Sequence, residues 1–182
     1  MPIHRLNHAV LYVRDAERSA EFYGQVLGFR QVMRMPRSGP ARALFLQAEG
    51  STNDHDLGLF TIGPEAAPSD AGRRTVGLYH LAWEVDTLDD LERVAATLAE
   101  RGSLVGASDH GSTKAVYARD PDGIELEVSW LVPAELLDGA VARAESSIKP
   151  LDIAREKTRY GGSRLGGVGI SRPARPASEA AV

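Results

Sequence analysis

The chain has 182 residues, of which 43% are hydrophobic and 25% charged, with a formal net charge of −4 and no cysteine. That length fits one domain, or two small modules sharing a core, and the missing cysteine excludes disulfides, thiolate metal sites and a cysteine nucleophile. The negative balance argues against nucleic acid as the main partner, since phosphate binding needs a concentrated basic surface. No apolar run approaches the roughly 20 residues that span a bilayer, and Met1-Pro2-Ile3-His4-Arg5 lacks the apolar core of a signal peptide. A cytoplasmic protein with no membrane partner is expected.

In chain order, Leu6 to Val13 reads as a buried strand. Asp15 stands where a helix N-cap belongs, Ala16, Ala20, Tyr23 and Leu27 keep helical spacing, and Gly28 closes the helix. Phe29 to Met35, Ala41 to Gln47 and Asp56 to Ile62 read as three strands. The Gly-, Pro-, Ala- and Ser-rich stretch Gly63–Gly77 reads as an exposed linker. A strand over Leu78 to Val85 follows, then a helix capped by Thr87, striped by Leu88, Leu91, Val94, Ala95 and Leu98, and ended at Gly102. Strands are expected at Leu104–Gly106, Lys114–Ala118 and Ile124–Leu131, the last two joined by the turn Asp120-Pro121-Asp122-Gly123. Pro133 to about Ala144 can form a helix, and from Gly161 a Gly-, Pro-, Arg- and Ala-rich tail is expected to be mobile or ordered only against a partner.

The two halves repeat. A shift of 72 residues carries Leu6 onto Leu78, His8 onto His80, Val13 onto Val85 and His55 onto Glu127. Two imperfect copies of β-α-β-β-β imply duplicated modules related by a pseudo-twofold axis. The expected division is 1–62, a linker 63–77, a second module 78–132, and a C-terminal segment 133–182.

Taken singly, these residues have ordinary readings: a strand histidine is usually a core residue, and a loop histidine such as His55 or His110 is usually solvated. Glu127 shares its strand with Glu125. One carboxylate is expected to face solvent and the other inward, where it is costly unless it meets a cation. Jointly the pattern is stronger, because an internal axis brings repeat-equivalent slots together. Two imidazoles and one carboxylate make a facial triad, which leaves open positions on a metal and suits Fe(II), or Mn(II).

Leu6-Asn7-His8-Ala9-Val10 with Asp15 and Phe22-Tyr23…Leu27-Gly28-Phe29, then Tyr79-His80-Leu81-Ala82, then Asp120-Pro121-Asp122-Gly123 with Glu127 four residues later, resemble the vicinal oxygen chelate superfamily. The resemblance covers about residues 3–132. It implies an α+β fold in which two βαβββ modules form a cupped, eight-stranded mixed sheet, the glyoxalase/bleomycin resistance/dihydroxybiphenyl dioxygenase fold. His55-Asp56-Leu57-Gly58-Leu59 and Asp109-His110-Gly111…Tyr117 are similar to motifs of one-domain extradiol (catechol 2,3-type) dioxygenases.

That resemblance implies His8, His80 and Glu127 as metal ligands, with Fe(II) first and Mn(II) or another divalent metal as the alternative. It implies His55 as the acid–base residue, with His110 and Tyr117 contacting the substrate's oxygens. The partners implied are a catechol-like aromatic substrate and O2. A glyoxalase-like lyase or isomerase, with His55 as a fourth ligand at a slot that often holds a carboxylate, is the alternative. A non-enzymatic small-molecule binding (resistance) protein of the same fold is the third reading. By analogy with other paired modules, a homodimer is expected.

Overall fold

The computed structural model describes residues 3, 5–137 and 148–167. The chain divides into two compact units, Met1–Tyr79 with Arg119–Ile124, and His80–Ala118 with Glu125–Val182. Among the described residues no helix is long and apolar enough to cross a membrane.

Unit 1 runs β1 (Ala9–Val13), α1 (Ala16–Leu27), β2 (Arg30–Met35), β3 (Ala43–Gln47) and β4 (Leu57–Thr61). Its sheet has the order β1-β4-β3-β2, with β1 and β4 parallel and the other pairs antiparallel. The N-cap is Asp15, whose carboxylate accepts the N–H groups of Glu17 and Arg18, so two orphan donors of the first turn are met. Gly28 ends the helix at φ 72°, a conformation glycine adopts without a Cβ penalty. Phe22, Tyr23 and Val26 on α1 are buried, as are Leu11, Val13, Leu44, Leu46, Leu57 and Leu59 on the strands. The expected buried strand Leu6–Val13 is shorter and one-sided: Leu11 and Val13 are buried while Val10 and Tyr12 are exposed. Successive strand residues point to opposite faces, and α1 covers only one.

Unit 2 runs β5 (His80–Glu84), α2 (Leu88–Glu100), β6 (Leu104–Asp109), β7 (Thr113–Arg119), β8 (Glu125–Leu131), β9 (Lys149–Pro150) and α3 (Ile153–Tyr160). Its sheet has the order β5-β8-β7-β6-β9, again with first and fourth strands parallel. Thr87 caps α2 by accepting from Asp90 N–H. The eight expected strands, joined by the additional β9, form two sheets, of four and five strands.

The C-terminal segment departs from expectation. Of the expected helix from Pro133 to Ala144, Ala134–Leu136 is a 3-10 turn; residues 138–147 lie outside the described residues. The edge strand β9 and the helix α3 were not legible in the sequence pattern. Asp152 caps α3 by accepting from Arg155 N–H. The start of the Gly/Arg tail is ordered on unit 2 itself: Trp130 donates to Arg164 O, Gly166 N–H to Asp86 O and Gly167 N–H to Leu131 O. The tail's remainder, 168–182, lies outside the described residues.

The turn Asp120-Pro121-Asp122-Gly123 belongs to unit 1, although the strands flanking it belong to unit 2. Asp120 Oδ1 accepts the N–H groups of Asp122 and Ile124, each at 2.9 Å, and its Oδ2 accepts the Tyr23 hydroxyl at 3.3 Å. Arg14 holds Asp122 twice, through its backbone N–H at 2.9 Å and its guanidinium at 2.8 Å. Burial pushes the Asp120 carboxyl up, opposed by the two backbone N–H groups, and burial also raises the Tyr23 phenol.

Replacing Asp120 by Ala leaves buried donors unmatched, so a loss of about 2–4 kcal/mol in urea unfolding is expected. Because the folded pKa of Asp120 lies above its unfolded value, its share of stability is complete below the unfolded value and is lost as pH rises through the folded one. Asp120→Asn should flatten that part of the stability–pH curve. An unaltered curve would overturn this account.

Candidate metal and substrate site

In unit 1 the residues before β1 and before β4 meet. The His8 and His55 rings lie with centroids 4.4 Å apart and planes tilted by 38°, and Phe45 packs edge-on to His55 at 5.0 Å. His8 Nδ1 donates to the Asn7 side-chain oxygen at 2.7 Å, which leaves Nε2 as the free donor atom. His55 Nδ1 lies 3.2 Å from Asp54 Oδ2. The hydrogen bond from the His55 side chain, with a second from its backbone, holds the exposed Asp54 carboxyl below its ordinary range.

A polar clasp fixes this meeting. Asn53 donates to Asn7 O at 2.6 Å and to Asp56 Oδ1 at 2.7 Å. Asp56 also accepts from Ala48 N–H at 2.9 Å and Ser51 Oγ at 2.7 Å, while Ala9 N–H donates to Asp56 O. The loop before β4 is thus tied to the residues entering β1. Tyr12, Phe45 and Phe60 form edge-on contacts on the sheet face away from α1, with ring centroids 5.9 and 6.5 Å apart.

In unit 2, His80 Nε2 lies 3.3 Å from Glu127 Oε2. Ser129 donates to the other carboxylate oxygen at 2.6 Å. Glu125 and Glu127 do not face opposite ways, as the sequence reading had it: two residues apart on a strand, they share a face, and Leu126, Val128 and Trp130 take the buried one. His110 Nε2 and Tyr117 Oη are hydrogen-bonded at 2.9 Å, and the Tyr117 ring centroid lies 6.1 Å from that of His80.

Strand pairing corrects the repeat register. In unit 1, Val10 pairs with Gly58; in unit 2, Ala82 pairs with Glu127. With Val10 matching Ala82 under the 72-residue shift, the counterpart of Glu127 is Gly58, and His55 matches Ile124 instead. A Cβ on Gly58 would stand 3.3 Å from Val10 Cγ2 and 3.5 Å from Phe45 Cε1. The four slots therefore hold His8, Gly58, His80 and Glu127.

The donor chemistry fits a divalent metal in part. Two ligands at about 2.1 Å from one ion and at right angles stand about 3.0 Å apart, close to the His80–Glu127 separation of 3.3 Å. Both His8 and Glu127 carry the supporting hydrogen bonds typical of ligands. Among the described residues no group of three or more His, Asp or Glu stands together as a metal site. The donors occur as pairs, His8 with His55 in unit 1 and His80 with Glu127 in unit 2.

Residues 5–128 match the family model for the Glyoxalase/Bleomycin resistance protein/Dioxygenase superfamily. The chain belongs to this superfamily. It is 31% identical to a catechol-2,3-dioxygenase of Bacillus subtilis (strain 168) over 68% of this chain, and spans 40% of that protein's length. It is 32% identical to a biphenyl-2,3-diol 1,2-dioxygenase 3 of Rhodococcus globerulus, over 74% of this chain and 68% of that protein. A lactoylglutathione lyase of Neisseria meningitidis serogroup A is 29% identical, over 68% of this chain and 88% of the lyase. A glyoxylase/bleomycin resistance protein/dioxygenase domain from Frankia sp. EAN1pec shares the fold, with a TM-score of 0.59 at 22% identity over 70% of this chain and 98% of that chain. The superfamily's relatives of this chain thus include both extradiol dioxygenases and lyases.

Sequence reasoning missed Asn7, Asn53 and Ser129 as supports. Two carried a signal: Asn7 adjoins His8, and Ser129 follows Glu127 by one strand period. Asn53→Ala should cut the clasp between the loop and β1. The expected result is loss of the ring-to-ring nuclear Overhauser contact between His8 and His55, with about 1–2 kcal/mol lost in thermal unfolding. Retention of that contact would show that the clasp does not set the pair.

Proposed function

We propose that this superfamily member is a metal-dependent extradiol-type dioxygenase that cleaves a catechol-like aromatic with O2. The observation that carries the reading is Gly58 at the slot matching Glu127. With no side chain there, the slots supply two imidazoles and one carboxylate, from His8, His80 and Glu127. That donor set is the facial triad associated with non-haem Fe(II), with Mn(II) as the alternative. A glyoxalase-like site with a carboxylate as fourth ligand would lack its donor at Gly58.

A divalent metal, when bound, lowers the pKa of a substrate hydroxyl and leaves positions for adjacent oxygens. In this reading His55, whose ring centroid lies 4.4 Å from that of His8, accepts a catechol proton and returns it. The His110–Tyr117 pair supplies a hydrogen bond to the second oxygen. Tyr12, Phe45 and Phe60 offer an aromatic face to the substrate ring. Extradiol cleavage breaks the carbon–carbon bond beside the diol and leaves both atoms of O2 in the product, so no external reductant is consumed. A homodimer in the cytoplasm belongs to the same proposal.

The likeness to a lactoylglutathione lyase supports a second reading, a glyoxalase-like lyase or isomerase. In that reading His55 is the fourth ligand. Anaerobically purified protein should hold one metal per chain, and the iron form should take up one O2 per catechol cleaved. His8→Ala, His80→Ala and Glu127→Ala should each lose most of the metal. His55→Ala should keep it and lose about 10²–10⁴-fold in rate. Loss of metal in His55→Ala would favour the lyase, and no O2 uptake with a broad catechol panel would sink the dioxygenase.

A further inference from the structure

Beyond the family-matched residues 5–128 lies α3, and its one fully buried acid reaches β7 within the same unit. Glu156 Oε2 lies 3.0 Å from Lys114 Nζ, and Lys114 in turn pairs with Asp109. Lys114 is 1% exposed and Glu156 0%. Asp109 Oδ1 also accepts Gly111 N–H at 2.8 Å. Burial alone would raise the Asp109 carboxyl; the hydrogen bonds from Lys114 and Gly111, with the Lys114 and Arg155 charges, overcome it and hold the carboxyl below its ordinary range. It therefore stands charged at neutral pH, as a partner of Lys114 must.

These contacts clamp the β6–β7 turn. Asp109 ends β6, and Lys114 is the second residue of β7. Between them, His110 N–H donates to Thr113 O at 2.9 Å, and Gly111 adopts φ 81°, which few other residues tolerate. Successive residues point to opposite sides. Asp109 and Lys114 face α3, while His110 and Tyr117 meet on the other side of the chain. The helix is itself seated by Lys157, which pairs with Asp89 and Glu92 of α2, and by Tyr160, whose ring centroid lies 5.5 Å from that of Trp130.

We propose that Glu156 is a positioning residue: through Lys114 and Asp109 it sets the β6–β7 turn, and so the hydrogen bond between His110 and Tyr117. The role of that pair toward substrate rests on the dioxygenase reading above; the clamp itself does not. Breaking a buried ion pair leaves an uncompensated charge that the neighbours must move to satisfy. With Glu156 neutralised, Lys114 and Arg155 lose the carboxylate they share, and Asp109, already in contact with Lys114, is left as the acid facing both cations, so the turn it ends shifts. Lys157, by contrast, seats α3 without touching the turn.

The test compares Glu156→Gln with Lys157→Ala in the full chain. Nitrogen-15 imidazole spectra are recorded without added metal, and His110 is assigned by its absence in His110→Gln. Glu156→Gln should displace the His110 Nε2 resonance, whereas Lys157→Ala should leave it in place even where it lowers the melting temperature as much. If catechol cleavage is present, Glu156→Gln should lower kcat about tenfold, with KM little changed. If cleavage is absent, the dioxygenase reading fails alone and the imidazole spectra still decide the clamp. An unmoved His110 in folded Glu156→Gln, or equal displacement in Lys157→Ala, overturns the proposal. Should Glu156→Gln not fold, Glu156→Asp keeps the charge and shortens the reach; a smaller displacement of the same sign supports the clamp, and an unmoved His110 overturns it.

Discussion

In each unit the first strand pairs in parallel with the fourth, and the arrangement of functional side chains follows from that pairing. A parallel pair cannot be joined by a tight turn, so the chain makes a helix and two strands before it returns. The return brings residues some 45 positions apart into contact, such as His80 and Glu127 at 3.3 Å. It also leaves β1 and β5 each at a sheet edge, with one face under a helix and the other open. The chemistry-bearing side chains take the open face because the helix side is filled by leucine, valine and aromatic side chains.

The pairing is sensitive to register. Unit 1 pairs Ala9 with Leu57, while unit 2 pairs Leu81, the counterpart of Ala9, with Leu126. The offset differs by three residues between the units, an odd number, and an odd slip sends a side chain to the other face of a strand. The same difference separates a carboxylate at one slot from a bare glycine at the other. Two modules with nearly the same sequence pattern therefore contribute unequally: unit 1 contributes an imidazole pair and an aromatic face, and unit 2 an imidazole–carboxylate pair beside a tyrosine.

Much of this was legible in the sequence. The caps Asp15 and Thr87, the glycine stops Gly28 and Gly102 and the Asp120 turn are local signals, and local signals survive in the fold. What a uniform shift could not show was the three-residue slip of β4 relative to β8, because one shift assumes equal spacing in both units, whereas the paired residues stand 48 apart in unit 1 (Ala9 with Leu57) and 45 apart in unit 2 (Leu81 with Leu126). The expectation that Glu125 and Glu127 face opposite ways conflicts with the two-residue period of the strand, which puts both on one face. The helix α3 was hidden for another reason. Its stability comes from Glu156, a buried acid, and Tyr160, and a charged octapeptide with two basic residues in its last turn looks like solvated surface until its partners Lys114 and Trp130 are known.

The turn at Asp120 has a consequence for synthesis. Unit 1 includes Arg119–Ile124, so Tyr23 and Arg14 wait for acceptors that lie 97 and 108 residues further along the chain. During translation the first βαβββ unit can form its sheet and bury its leucines, but its phenol hydroxyl has no carboxylate to meet until β7 has emerged. Domains made on the ribosome usually fold from the N-terminus forward. Here the earlier unit stays open to late correction, and a chain stalled before residue 119 would carry an unfinished first unit rather than a complete one.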